Sequence, residues 1–102
     1  MFKKVIMKVL YDNRKLLDDD IDDFDIDYFA TNLVKDMLNS YKIATHKGED
    51  MANLYLQSAI KKELSVITKK LEYVENITMK IFENLKRAIE EKMGDNGEVP
   101  YA

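Results

Sequence analysis

Cysteine and tryptophan are absent from this chain, and its 102 residues include one proline, one histidine and three glycines. Without cysteine there is no disulfide framework, thiolate zinc site, iron–sulfur cluster or cysteine nucleophile, and the absence fits a reducing compartment. A lone His46 gives no histidine metal site of ordinary ligand count and no base for Ser40, Ser58 or Ser65. No window approaches the run of about 20 apolar residues that a spanning helix needs. The apolar stretch at 5–11 is interrupted by Lys8 and lacks the small-residue cleavage site of a signal peptide. A cytoplasmic protein with no membrane attachment is expected, without cofactor or metal.

What is present is globular and helix-leaning: 46% hydrophobic and 34% charged residues, with a net charge of −3. A chain of this length supports one hydrophobic core, so one domain is expected over 1–93, with 94–102 as a flexible tail. Phe, Tyr, Met, Ile, Asn and Lys number 46, against 12 for Gly, Ala, Arg and Pro. That bias is spelled by AT-rich codons, which many viruses, mobile elements and low-GC cells share, and it fits a viral or mobile-element accessory gene among these.

Apolar residues recurring at three- and four-residue steps predict an all-α bundle of three to four helices at 2–17, 25–46, 51–73 and 76–93. In the first, Phe2, Val5, Ile6, Val9, Leu10, Leu16 and Leu17 fall within an arc of about 140°, opposite Lys4, Lys8 and Lys15. Seven aspartates between 18 and 27 form an acidic connection. The second helix has aspartates at its positive end, His46 and Lys47 at its negative end, and Gly48 to terminate it. Asp50 is placed to cap the third.

From 51 to 93 there is neither Gly nor Pro, and Ile60, Leu64, Ile67, Leu71, Val74, Thr78, Ile81, Leu85 and Ala88 keep a heptad seam. One helix of that length would reach about 65 Å, against a radius of gyration of about 13 Å for a compact domain of this size. Either the helix breaks near 73–76, with Asn76 capping a new start, or it stays whole as one long C-terminal helix and pairs with a second copy. The break is favoured. A second stripe, Ala52, Ala59, Val66 and Tyr73, places 51–73 at the centre of the bundle, packed by the first two helices. With the break, each half of the chain reads as a helical hairpin.

Several constellations resolve into bland readings. Asp18, Asp20 and Asp22 match the start of a calcium loop, but Asp23 stands where Gly is needed and Phe29 where a bidentate Glu is needed. Lys61, Lys62, Lys69 and Lys70 form a basic cluster, yet the acidic balance and the lack of interleaved aromatics disfavour nucleic acid. Asn76-Ile77-Thr78 is a glycosylation pattern without a secretion signal.

By exclusion the expected function is non-enzymatic protein–protein interaction, with a peptide or helix held in a groove between helical hairpins. The candidate partner-binding residues are Tyr41, Tyr55, Val66, Tyr73 and Ile77, because tyrosines at the margin of an apolar arc bury a ring and keep the hydroxyl wet. One alternative is a homodimeric structural protein joined through Ile81, Leu85, Ala88 and Ile89. Another is a nucleic-acid-binding regulator.

Overall fold

The computed structural model describes residues 2–17, 21–68 and 73–96, with side chains through Lys92. Among the described residues there are four α-helices, α1 (Phe2–Asp12), α2 (Asp23–Lys47), α3 (Glu49–Ile67) and α4 (Val74–Asn96), and no strand. The all-α bundle expected from the periodicity is the architecture found, and its boundaries differ for local reasons.

α1 stops five residues short of 17. Asn13 turns its side chain back, with Nδ2 donating to the carbonyl of Val9 at 2.7 Å, and this competes with continuation of the helix. A 3₁₀ turn at Arg14–Leu16 follows, and the Arg14 guanidinium donates to the carbonyl of Ile21 at 3.0 Å, while Leu17 and Ile21 are both buried. The connection is thus pinned at each end.

α2 starts earlier than 25 because its aspartates build a capping box. Asp22 Oδ1 accepts from the Asp25 amide at 2.9 Å, and Asp25 Oδ2 accepts from the Asp22 amide at 3.2 Å. Tyr11 donates its hydroxyl to Asp23 at 2.8 Å and Lys3 pairs with Asp27 at 2.7 Å, which ties α1 to this first turn.

A single residue separates α2 from α3. Gly48 has φ 96° and ψ 163°, a conformation open essentially to glycine alone, so the chain reverses here with no loop. Asp50 does not cap α3 as the sequence suggested. Gly48 occupies that position with no side-chain cap, and Glu49 and Asp50 sit in the first turn, facing the positive end of the dipole. Along the antiparallel pair, the Ser40 hydroxyl donates to the Ala52 carbonyl at 3.0 Å, Asn39 Nδ2 to the Tyr55 hydroxyl at 3.3 Å and Asn32 Nδ2 to Glu63 at 3.2 Å.

The long-helix alternative is excluded. Thr68 is extended, its amide making the last α3 hydrogen bond to Leu64, and α4 begins at Val74, so Asn76 lies inside a helix and caps nothing. The seam nevertheless survives the break: Ile60, Leu64, Val74, Thr78, Ile81 and Leu85 are all buried, and Ile67 and Ala88 pack at the core's edge. Leu71 lies outside the described residues.

The helices form a ring in which α1 meets α2, α2 meets α3, α3 meets α4 and α4 returns to α1. α3 therefore borders α2 and α4 and does not sit centrally against α1, as the width of its apolar arc had implied. The core joins Ile6, Val9 and Leu10 of α1 to Ile26, Phe29 and Leu33 of α2, Leu56, Ile60 and Leu64 of α3, and Val74, Ile77, Ile81, Phe82 and Leu85 of α4. The radius of gyration is 13.4 Å. α4 extends to Asn96 and takes in the start of the expected tail, whose residues 97–102 lie outside the described residues. No helix among the described residues is long and apolar enough to cross a membrane.

Two substitutions test this account by urea denaturation. A Cβ on Gly48 meets nothing within 4 Å, so Gly48→Ala should cost about 1–3 kcal/mol through backbone conformation alone. Thr78 Oγ1 is buried with no hydrogen-bond partner. Thr78→Val, which keeps the shape and removes the hydroxyl, should raise stability by about 1 kcal/mol.

Candidate interaction groove between α1 and α4

Where α3 packs on α4, the contributed side chains are large and the surfaces meet. Leu56, Ile60, Leu64, Ile81, Phe82 and Leu85 are buried, and Lys86 lies 5.5 Å over the Phe82 ring. The α1–α4 junction is built from smaller groups. Val5 and Val9 on α1 and Ala88 on α4 cannot span the same gap, and an open groove of about 720 Å³ remains between the two helices.

Helical pitch sets its lining. Val5, Lys8, Val9 and Asp12 recur at steps of three, one and three along α1, while Asn84, Arg87, Ala88 and Glu91 occupy one side of α4. One end is closed by amides: Asn84 Nδ2 donates to Asn13 Oδ1 at 3.1 Å, and Asn13 is itself anchored on Val9. The rim carries Lys8, Arg87 and Lys92 against Asp12 and Glu91, so this groove is locally cationic on a chain of net charge −3. Lys8 and Asp12 approach only to 3.7 Å and are well exposed, which leaves that pair worth little and its charges open to exchange.

The residues expected to bind a partner are not brought together. Tyr41 and Tyr55 lie toward the Gly48 end of the α2–α3 pair, whereas Val66 and Tyr73 flank the α3–α4 connection, about 16 Å away along α3. Val66 and Tyr73 are exposed, at 63% and 59%, but Ile77 is a core residue at 6%. Of the dimerisation set, Ile81 and Leu85 are 1% exposed within the single chain, and Ala88 and Ile89 are partly buried against the same core. The seam faces inward, so Ile77, Ile81 and Leu85 offer no surface to a second polypeptide. Among the candidate partner-binding and dimerisation residues, Ala88 alone lines the groove.

Of the basic cluster, Lys61 is answered from within. Lys61 pairs with Glu75 at 2.9 Å and holds its carboxyl below the usual glutamate range. Burial raises the Asp36 carboxyl, opposed by the charge of Lys62. Lys69 and Lys70 lie outside the described residues. No group of His, Asp or Glu among the described residues is arranged to hold a metal ion, and His46 is exposed at the end of α2. Comparison of the chain with protein-family models, with curated proteins and with solved structures finds no match.

The Lys61–Glu75 pair gives a pH signature. A carboxyl depressed in the folded state adds stability that is present above its unfolded pKa and lost as pH falls through the folded one. NMR titration should therefore place Glu75 below the usual glutamate range, and Lys61→Met should return it to that range.

Proposed function

We propose that this chain is a non-enzymatic protein-interaction module that seats a segment of another polypeptide along the α1–α4 groove. The observation that carries this reading is the groove itself, an apolar floor of Val5, Val9 and Ala88 running beside a rim of exchangeable charges. Its volume lies within the range of ligand sites, roughly 300–1,000 Å³, but those sites are enclosed and mostly apolar. This one is open along its length and rimmed by charge, which suits a side of a helix or strand better than a small substrate. An apolar anchor would sit over Ala88, and acidic groups of the partner would meet Arg87. The groove also lies between the first and last helices, and so between the two halves of the chain.

The same reading places the protein in the cytoplasm, of the host cell where the AT-biased composition reflects a viral or mobile-element gene. It rests on the cysteine-free composition, which fits a reducing compartment.

Peptides selected from a random displayed library on the wild-type protein provide the test. Ala88→Arg, which fills the floor, and Arg87→Glu, which reverses the rim, should each weaken the selected peptides at least ten-fold with the helical circular dichroism unchanged. Leu54→Ala, an exposed site on α3 outside the groove, should leave them bound. Peptides indifferent to both groove variants would discard this site.

A further inference from the structure

α2 has three sides; two are packed, and the third is touched by α1 at its edge through the Lys3–Asp27 ion pair. One lies against α3 through Asn32, Asn39 and Ser40, and one carries Ile26, Phe29, Ala30 and Leu33 into the core. The third holds Phe24, Asp27, Tyr28, Thr31, Lys35 and Leu38 within an arc of about 100°, at 100° per residue. All six are exposed, and Phe24 at 74% and Leu38 at 56% are among the most exposed large apolar residues of the chain.

We propose that this face pairs, antiparallel, with the same face of a second copy about a twofold axis at Thr31. Reversing the direction of α2 about residue 31 carries Phe24 onto Leu38 and Asp27 onto Lys35, and leaves Thr31 on itself. An isologous contact demands that kind of self-complementarity, in which residue i meets residue j and j meets i. Each copy then gives an aromatic ring to the other's Leu38 and a carboxylate to the other's Lys35. The pairs form twice, and no like charges are opposed.

The residue on the axis is small, which lets the two helices approach to the 8–10 Å typical of packed helices. Asp27 is already oriented: Lys3 of α1 holds its Oδ1 at 2.7 Å. The acidic first turn and the lysines at 35 and 42 give the face opposite charge at its two ends, so a parallel arrangement would set like against like. Phe24 and Leu38 are separated by about 21 Å of helix. A contact of that length from one helix per copy falls below the roughly 1,600 Å² of a standard interface, which implies weak, concentration-dependent association. No α2 residue lines the α1–α4 groove, so each copy keeps its groove free, and a partner carrying two binding segments gains avidity.

Sedimentation equilibrium of the full chain from 10 μM to 1 mM, at low and high salt, tests the pairing. The wild type should show a monomer–dimer equilibrium that salt weakens. Asp27→Lys and Lys35→Asp should each lower association at least ten-fold, and an equimolar mixture of the two should recover it, because both ion pairs re-form between unlike copies. Thr31→Arg, on the axis, should abolish it. Leu38→Ser keeps every charge and should also weaken it, with folding of each variant checked by circular dichroism. A wild type that is monomeric throughout, a dimer indifferent to Thr31→Arg and Leu38→Ser, or charge-reversed variants that fail to recover on mixing would each overturn the proposal.

Discussion

The reversal at Gly48 governs the rest of the molecule. With one residue between helices of 25 and 19 residues, α2 and α3 are held together at this end and pack antiparallel along their length. Register follows from polar groups along the pair, since Ser40 must reach the Ala52 carbonyl and Asn32 must reach Glu63. Once that pair is set, α1 can only close across from α2 to α4, and α4 can only return along α3. Six residues separate Ile67 from Val74, and the Lys61–Glu75 bridge holds the start of α4.

Residue size then decides where the ring is tight and where it opens. The three-way meeting of α2, α3 and α4 is filled by Phe29, Leu33, Ile60, Leu64 and Ile81, all 1% exposed or less. At the α1–α4 junction, the apolar groups that line the groove are two valines and an alanine, and the space above them stays open. Small side chains at a helix interface usually allow closer approach. Here α1 is held at its C-terminal end by the Asn13–Asn84 amide contact and on its other side by Tyr11 and Lys3 against α2. The amide contact bridges the two helices at one end, and the cleft opens beyond it.

Much of the fold could be read from periodicity, because three-and-four spacing reports which side of a helix is apolar regardless of what covers it. Gly48 and the aspartates of α2 were equally legible, since positive φ and N-terminal capping are local demands met by particular residue types. The break after Ile67 was harder. No Gly or Pro marks it, and the heptad seam continues through it in sequence because both sides of the break face one core. Compactness argued for a break but could not fix its position.

The candidate site was hardly legible at all. A groove is a property of two elements, and nothing in the spacing of Val5, Val9 and Ala88 shows that residues eighty positions apart face each other. Tyrosines were the visible signal, and they proved to be spread along the hairpin. The seam of α4 was equally misleading: its heptad spacing is the pattern of a coiled-coil dimer, yet a single chain with its own α1, α2 and α3 consumes that face internally. What periodicity reports is the need for a cover, and the identity of the cover is settled by topology. On α2, by contrast, the uncovered face becomes visible only after the core and the α3 contact have been subtracted. There the pattern that matters is a reversal symmetry about Thr31, a feature that a search for helical period passes over because Phe24, Asp27, Lys35 and Leu38 are not one apolar stripe.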